Sequence, residues 1–159
     1  MRIGHGYDVH RLGTDQDLIV GGVNIPHEKG LEGHSDADVL THAIMDAILG
    51  ALGAGDIGKL FPDTDEQYKG VSSVTMLRIV IDMMDRAGLA LGNLDTTIVA
   101  EAPKMAPYIP EMRQILAGAF LAELHQVNIK ATTEEGLGFT GDGSGIAAHA
   151  VVLLIEKGA

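Results

Sequence analysis

The 159-residue sequence contains no cysteine, so disulfides and thiolate metal sites are both closed to it, and nothing points to an oxidising compartment. It has no tryptophan and only three phenylalanines and three tyrosines, too few for the aromatic platforms on which bases stack. Positive charge is scarce as well. Eleven Lys and Arg against 22 Asp and Glu leave a formal net charge of −11, which argues against a nucleic-acid surface. A small anionic ligand remains open, because a cation, a helix N-terminus or one lysine supplies positive charge locally. No apolar run is long enough to span a bilayer, and Met1-Arg2-Ile3-Gly4-His5 does not read as a signal peptide. The expectation is a cytoplasmic protein with no membrane contact. Glycine, by contrast, is abundant: 21 residues, well above the usual share of about 7%, a mark of tight turns or of backbone lying close to a ligand. Length and a 46% apolar content suit a single domain over residues 1–159 with its own core.

There is no repeat, low-complexity tract or long linker. Residues 1–10 read as a strand. Leu18–Val20 and Val23–Ile25 flank Gly21-Gly22, a hairpin signal, and residues 26–35 read as loop. From Asp36 to Leu52 the period becomes helical: Val39, Leu40, Ala43, Ile44, Ala47, Ile48, Ala51 and Leu52 form one apolar stripe. Ser35 or Asp36 can cap its start, and Gly53 and Gly55 follow its end. After a Gly-, Asp- and Pro-rich loop over 55–70, a second helix is predicted from Ser73 to Ala87, stopping at Gly88. A third starts with Pro110 at its first position and runs to about Leu124. Leu94–Ala100, Val127–Thr132 and Ile146–Glu156 read as strands, with Gly136–Gly145 as loop. The order predicts an α+β fold: a four-stranded mixed sheet plus a small hairpin, with helices on one face. The last strand is apolar on both faces, with Ala147, His149, Val151 and Leu153 on one and Ala148, Ala150, Val152 and Leu154 on the other. Both faces are therefore expected to be covered, the second by another subunit.

Asp8 and His10 stand two apart in the first strand, so both side chains point to one face. A carboxylate oxygen and an imidazole nitrogen so placed either share a divalent cation or make a buried histidine beside a surface aspartate. His42, in the first helix with Asp38 at i−4 and Asp46 at i+4, is on its own a solvated face. With Asp8 and His10 it becomes a third ligand, and two histidines with one carboxylate leave an open position on zinc or a similar cation. Asp46 or Asp38 could orient the His42 ring. His34-Ser35 precedes this helix, where backbone N–H groups and a hydroxyl favour phosphate, or where Ser35 simply caps. Asp56 to Asp65 is either an ordinary polar loop or a substrate-covering one. Its Asp63-Thr64-Asp65 lacks the downstream Gly and Glu of a calcium loop. Two strand ends complete the set. Ala100-Glu101-Ala102-Pro103-Lys104-Met105 offers exposed backbone and a lysine, and Ala131-Thr132-Thr133-Glu134-Glu135 offers hydroxyls and carboxylates for phosphate and a second hard cation.

Taken together, Asp8-Val9-His10, His34-Ser35-Asp36, His42, Asp56-Ile57-Gly58-Lys59-Leu60-Phe61-Pro62-Asp63-Thr64-Asp65, Ala102-Pro103-Lys104-Met105, Lys130-Ala131-Thr132-Thr133 and Leu137-Gly138-Phe139-Thr140-Gly141 resemble the 2-C-methyl-D-erythritol 2,4-cyclodiphosphate synthase family from Met1 to the last strand. The resemblance implies a homotrimer with its sheets facing inward and three active sites between neighbouring subunits. By this similarity Asp8, His10 and His42 hold a zinc-like cation, for which manganese or cobalt would also serve, and Asp8 and His10 touch substrate too. His34 and Ser35 position phosphate, Asp56, Ile57 and Gly58 meet the erythritol part, and Phe61, Pro62, Asp63, Thr64 and Asp65 cover the substrate. From the adjacent subunit, Ala100, Glu101, Ala102, Pro103, Lys104, Met105 and Ala106 bind cytidine. Thr132, Thr133, Glu134 and Glu135 hold phosphates, with Glu135 on a second cation, magnesium or manganese, and Phe139 also contacts substrate. His34 and Thr133 are the catalytic residues implied.

The implied reaction takes 4-diphosphocytidyl-2-C-methyl-D-erythritol 2-phosphate to the cyclic diphosphate and CMP, in non-mevalonate isoprenoid precursor synthesis. Phosphoryl transfer needs positioning and charge neutralisation more than a protein nucleophile, which suits a chain without a Ser-His-Asp arrangement. Two rival readings are a metal-dependent nucleotide phosphohydrolase using water and a non-catalytic module with a structural metal. One region departs from the family pattern. Asp142 and Ser144 stand where many members carry Arg and Glu, beside an axial cavity that in those members can hold isoprenoid diphosphates. Asp142 would repel such a ligand, so calorimetric titration with farnesyl diphosphate is expected to give weak or no binding; micromolar affinity would contradict this.

Overall fold

The computed structural model describes residues 1–158. Among them, seven strands and five helices follow in the order β1 (Arg2–Gly13), β2 (Ile19–Val20), β3 (Val23–Asn24), β4 (Gly30–Leu31), α1 (Val39–Leu52), α2 (Ile57–Leu60), α3 (Ser73–Arg86), β5 (Leu89–Val99), α4 (Ile109–Phe120), β6 (Val127–Thr132), α5 (Gly138–Gly141) and β7 (Gly145–Glu156). Two short 3-10 turns, Glu66–Tyr68 and Leu124–Gln126, lie between them. Among the described residues no helix is long and apolar enough to cross a membrane.

The sheet has five strands in the order β4-β1-β7-β5-β6, with β2 and β3 as a separate pair. The prediction of four strands is corrected here. β4 lies inside the stretch read as loop, and two residues are too few to carry an alternation. It pairs through Leu12↔Leu31 and Gly13↔Gly30. β1 runs antiparallel to β7, and β7 antiparallel to β5, while β5 and β6 are parallel. β5 begins five residues before the predicted Leu94, with a bulge between Leu91 and Asn93, where the intervening Gly92 interrupts the alternation.

Helices cover one face. Along β7, Ala148, Ala150, Val152 and Leu154 are fully buried. The alternate positions His149 and Val151 are exposed, and Ile3, Tyr7 and Val9 on β1 are exposed with them. Gly4 and Gly6 set the spacing of β1 and α1. A Cβ at Gly6 would overlap the Ala43 carbonyl oxygen and sit 2.7 Å from the Ala47 nitrogen; one at Gly4 would overlap the Ala47 carbonyl oxygen. Alanines on the helix and glycines on the strand thus let the two backbones touch, and this contact brings His42 to the level of Asp8.

Helix ends differ from the sequence reading in instructive ways. α1 is capped by Asp38, not by Ser35 or Asp36. The Asp38 carboxylate is wholly buried and accepts from the Thr41 N–H and hydroxyl and from the N–H groups of Gly21 and Gly22. One side chain therefore fixes both the helix start and the β2–β3 turn. Gly53 ends α1 in the left-handed region, at φ 70°, as its position predicts. Pro110 falls one residue into the first turn of α4, and α4 stops at Phe120, where Leu121 turns left-handed at φ 52°.

Candidate functional site

Asp8 and His10 lie on the helix-covered face of β1, paired with Ala148 and Ile146 of β7. They stand beyond Gly6, where the strand outruns the close contact with α1. His42, on the first turn of α1, meets them there. Asp8 Oδ2 is 2.9 Å from His10 Nε2 and 3.1 Å from His42 Nδ1, and the two histidine nitrogens are 3.1 Å apart. Tetrahedral zinc with ligand bonds of about 2.0 Å places neighbouring donors roughly 3.3 Å apart, so this triangle has the size of one face of such a site.

Proton accounting agrees with the size. His10 Nδ1–H donates to the Glu32 carbonyl at 2.7 Å, which leaves Nε2 of a neutral ring presenting a lone pair to the Asp8 carboxylate. Such an array calls for positive charge at its centre. The same demand acts on the side chains themselves. With ring protons in place of a cation, burial pushes Asp8 up, but the hydrogen bonds and charges of His10 and His42 outweigh it and hold the carboxyl at about 2. Burial pushes His10 down, and the Asp8 carboxylate more than reverses this, so His10 is raised. The donor set suits a divalent cation.

The triad forms one wall of a cavity of about 450 Å³, within the range of small-molecule sites. His34, Ser35, Ile57, Gly58, Phe61 and Asp63 also line it. His34 Nε2–H donates to the Asp65 carbonyl at 3.0 Å, fastening the loop to the start of the α1 region. Phe61 is buried and packs edge-on to Tyr68 at 5.1 Å between ring centroids. Asp56 caps α2 by accepting from Lys59 N–H at 3.0 Å, and its side chain does not line the cavity; nor do Pro62, Thr64 or Asp65.

The Asp46 and Asp38 side chains make no hydrogen bond to the His42 ring, and the reading that one of them orients it is corrected. Asp38 is turned into the cap, and Asp46 Oδ1 accepts from Ile57 N–H at 2.8 Å, tying α2 to α1. The far side of the His42 ring faces hydroxyls instead. Its Nε2 is 3.1 Å from Ser35 Oγ and 2.9 Å from Ser73 Oγ. Ser73 belongs to α3, and only folding brings it here. Glu32, Tyr68 and Met76 also escaped the sequence reading; they reach the cavity from a loop, a 3-10 turn and α3.

The second group of residues assembles elsewhere. The ends of the parallel strands β5 and β6 are joined by Ala100 N–H to the Thr132 carbonyl at 3.0 Å. Ala100, Glu101, Pro103, Lys104, Met105, Ala106, Thr132 and Thr133 line a separate cavity of about 270 Å³ there. Thr133 Oγ1 accepts from Glu135 N–H at 3.2 Å, and Glu135 is left-handed at φ 54°. Glu134 takes the Thr140 hydroxyl, which ties this loop to α5. Phe139 lies beside neither cavity but near Val9 and His10, in a third, smaller one. Within one chain the two groups of site residues stay apart.

Fold and site define the class first: an α+β protein with a two-histidine, one-carboxylate candidate metal centre opening on a small-molecule cavity. The chain belongs to the YgbB family, whose profile matches residues 1–155. It is 66% identical over 157 residues to a 2-C-methyl-D-erythritol 2,4-cyclodiphosphate synthase of Geobacter sulfurreducens, covering 99% of this chain and 100% of that one. Among solved structures it resembles the CDP complex of IspF from Plasmodium falciparum, with a TM-score of 0.87 and 33% identity over 98% of this chain and 96% of that one. It also resembles the bifunctional IspDF of Campylobacter jejuni, with a TM-score of 0.94 and 40% identity over 98% of this chain, which spans only 42% of that larger one.

Proposed function

We propose that this chain converts 4-diphosphocytidyl-2-C-methyl-D-erythritol 2-phosphate to 2-C-methyl-D-erythritol 2,4-cyclodiphosphate and CMP, a step in isoprenoid precursor synthesis carried out in the cytoplasm. The observation that carries this reading is the convergence of Asp8, His10 and His42 beside the larger cavity in a chain so close to synthases along its whole length. In the reaction an oxygen of the 2-phosphate forms a bond to the β-phosphorus. The bond from that phosphorus to the oxygen shared with CMP breaks, and CMP leaves with the oxygen. The enzyme is thus a phosphorus–oxygen lyase.

Asp8, His10 and His42 would hold the cation, with zinc matching the donors. Bound there, a cation would neutralise charge on phosphate oxygens and so offset the protein's own negative charge. His34 and the Ser35 hydroxyl position the phosphate that attacks. Ile57 and Gly58, which line the cavity, and Asp56 beside them would meet the erythritol part, while the segment Phe61 to Asp65 covers the substrate and excludes water, which keeps hydrolysis from competing. Residues 100–106 take the cytidine. Thr133 is placed to steady the transferring phosphoryl group: its Oγ1 accepts from Glu135 N–H, so its own hydrogen is free to donate to phosphate. Glu135 would hold a second cation, magnesium or manganese, on the diphosphate.

The separation of the two cavities supports a homotrimer, in which the strand-end group of one chain completes the triad cavity of its neighbour. The exposed face of Ile3, Tyr7, Val9 and Val151 supplies the apolar surface for it. Three 16.7 kDa chains give a particle of about 50 kDa.

The test is CMP release from the cytidyl substrate before and after chelation, with light-scattering mass measured alongside. CMP release that disappears on chelation and returns with metal is expected. His42→Ala should lose bound metal while the trimer survives. Retained stoichiometric metal in that variant would refute the ligand assignment.

A further inference from the structure

Ser73 is fully buried at the start of α3 and faces a carboxylate on one side and the His42 ring on the other. Its hydroxyl hydrogen goes to Asp36 Oδ1, and its backbone N–H goes to Asp36 Oδ2 at 3.0 Å. A hydroxyl has one hydrogen to give. With that hydrogen committed to an ionised carboxylate, which can only accept, Ser73 Oγ offers His42 Nε2 only lone pairs at 2.9 Å. Nε2 must then be the donor. A neutral ring with its proton on Nε2 turns a bare Nδ1 toward Asp8 and His10, 3.1 Å from each donor atom.

Ser35 is differently placed. Its Oγ is 3.1 Å from the same Nε2 and 3.4 Å from Ser73 Oγ, it accepts a weak 3.3 Å bond from Ala37 N–H, and no carboxylate holds its hydrogen. Its hydroxyl can turn into the cavity that it lines.

We infer that Ser73 and Asp36 are positioning residues for His42: the Asp36–Ser73 pair fixes the tautomer and ring orientation that present Nδ1 to a metal, and so leaves Ser35 free to serve phosphate. The inference rests on the reading of Asp8, His10 and His42 as a metal site. Partners that orient a ligating histidine in this way are known to set metal affinity.

Two measurements test it. Nitrogen-15 NMR of the His42 ring in the wild-type protein, stripped of metal at alkaline pH, should show the proton on Nε2. A proton on Nδ1 would overturn the inference, whatever the protein does with metal. Zinc affinity by chelator competition should then fall about 10- to 100-fold in Ser73→Ala and in Asp36→Asn, with the apoprotein's circular dichroism unchanged and turnover recovering in excess zinc. Ser35→Ala should lose less than about threefold in zinc affinity and raise KM instead. Wild-type-like zinc affinity in a folded Ser73→Ala would overturn the inference. Absence of zinc binding by the wild type would instead overturn the metal-site reading beneath it, and the NMR result would still decide the orientation.

Discussion

Gly6→Ala is a one-methyl change that should dismantle the metal centre without touching any of its three side chains. The Cβ would overlap the Ala43 carbonyl oxygen and lie 2.7 Å from the Ala47 nitrogen, against the 3.4 Å at which ordinary contact begins. Both obstacles are backbone of α1, so no rotamer relieves them, and the helix must retreat from β1 by at least about 1 Å. His42 rides on that helix, and Asp8 and His10 ride on that strand. A retreat of this size would take the His42 Nδ1 to Asp8 Oδ2 distance from 3.1 Å to about 4 Å, past the roughly 3.3 Å edge of a tetrahedral zinc site. Overpacking of this kind costs about 3 kcal/mol, or roughly 6–12 °C in Tm for a chain of this length. Zinc affinity should fall by at least about 100-fold, the upper end of what losing an orienting partner costs. Leu116→Ala serves as the control. Leu116 is fully buried in α4, away from the triad, and its truncation should cost about 2–5 kcal/mol while zinc affinity holds. Ala43→Gly should not rescue Gly6→Ala, because the obstacle is a carbonyl rather than a methyl. A folded Gly6→Ala with wild-type zinc affinity and a Tm within about 2 °C would refute the reasoning.

Two further outcomes follow from the same geometry. Thr133→Ala should lower kcat about 100-fold, as loss of a donor to a transition-state oxygen does elsewhere, with bound zinc unchanged; equal kcat in stopped assays would remove Thr133 from the mechanism. Burial pushes the Asp46 carboxyl up, even though Ile57 N–H stabilises its charge. The folded state therefore binds this proton more tightly than the unfolded chain, and the contribution of Asp46 to stability falls as pH rises through the window that starts near about 3.9. Asp46→Asn keeps an acceptor for Ile57 and never ionises. Its urea midpoint, relative to wild type, should be higher at pH 7 than at pH 4, and an equal difference at both would contradict the burial argument.

The sequence made α1 legible because its stripe repeats for four turns, and it made the hairpin legible because Gly21-Gly22 permits only a tight turn. Asp8 and His10 were legible as neighbours on one face because strand alternation is local. The start of α1 was not, because Ser35, Asp36 and Asp38 are all capping residues and the choice fell to Asp38 through its bonds to a hairpin 17 residues earlier. β4 was too short to leave a pattern. Ser73 carried no signal at all, since its contact with His42 spans 31 residues and depends on how α3 docks on α1. Asp46 shows the converse error. The i+4 spacing to His42 is real, but the side chain leans toward α2 instead. Local periodicity thus found the elements and the donor types, while the contacts that orient those donors belong to packing between elements.

The central claim is that the substrate's own phosphate, and not water, is the nucleophile at this site. Phosphorus-31 NMR of the products formed from 4-diphosphocytidyl-2-C-methyl-D-erythritol 2-phosphate with zinc and magnesium present tests it most directly. The account predicts CMP together with a cyclic diphosphate whose two phosphorus nuclei couple to each other. CMP together with linear methylerythritol phosphates would contradict it.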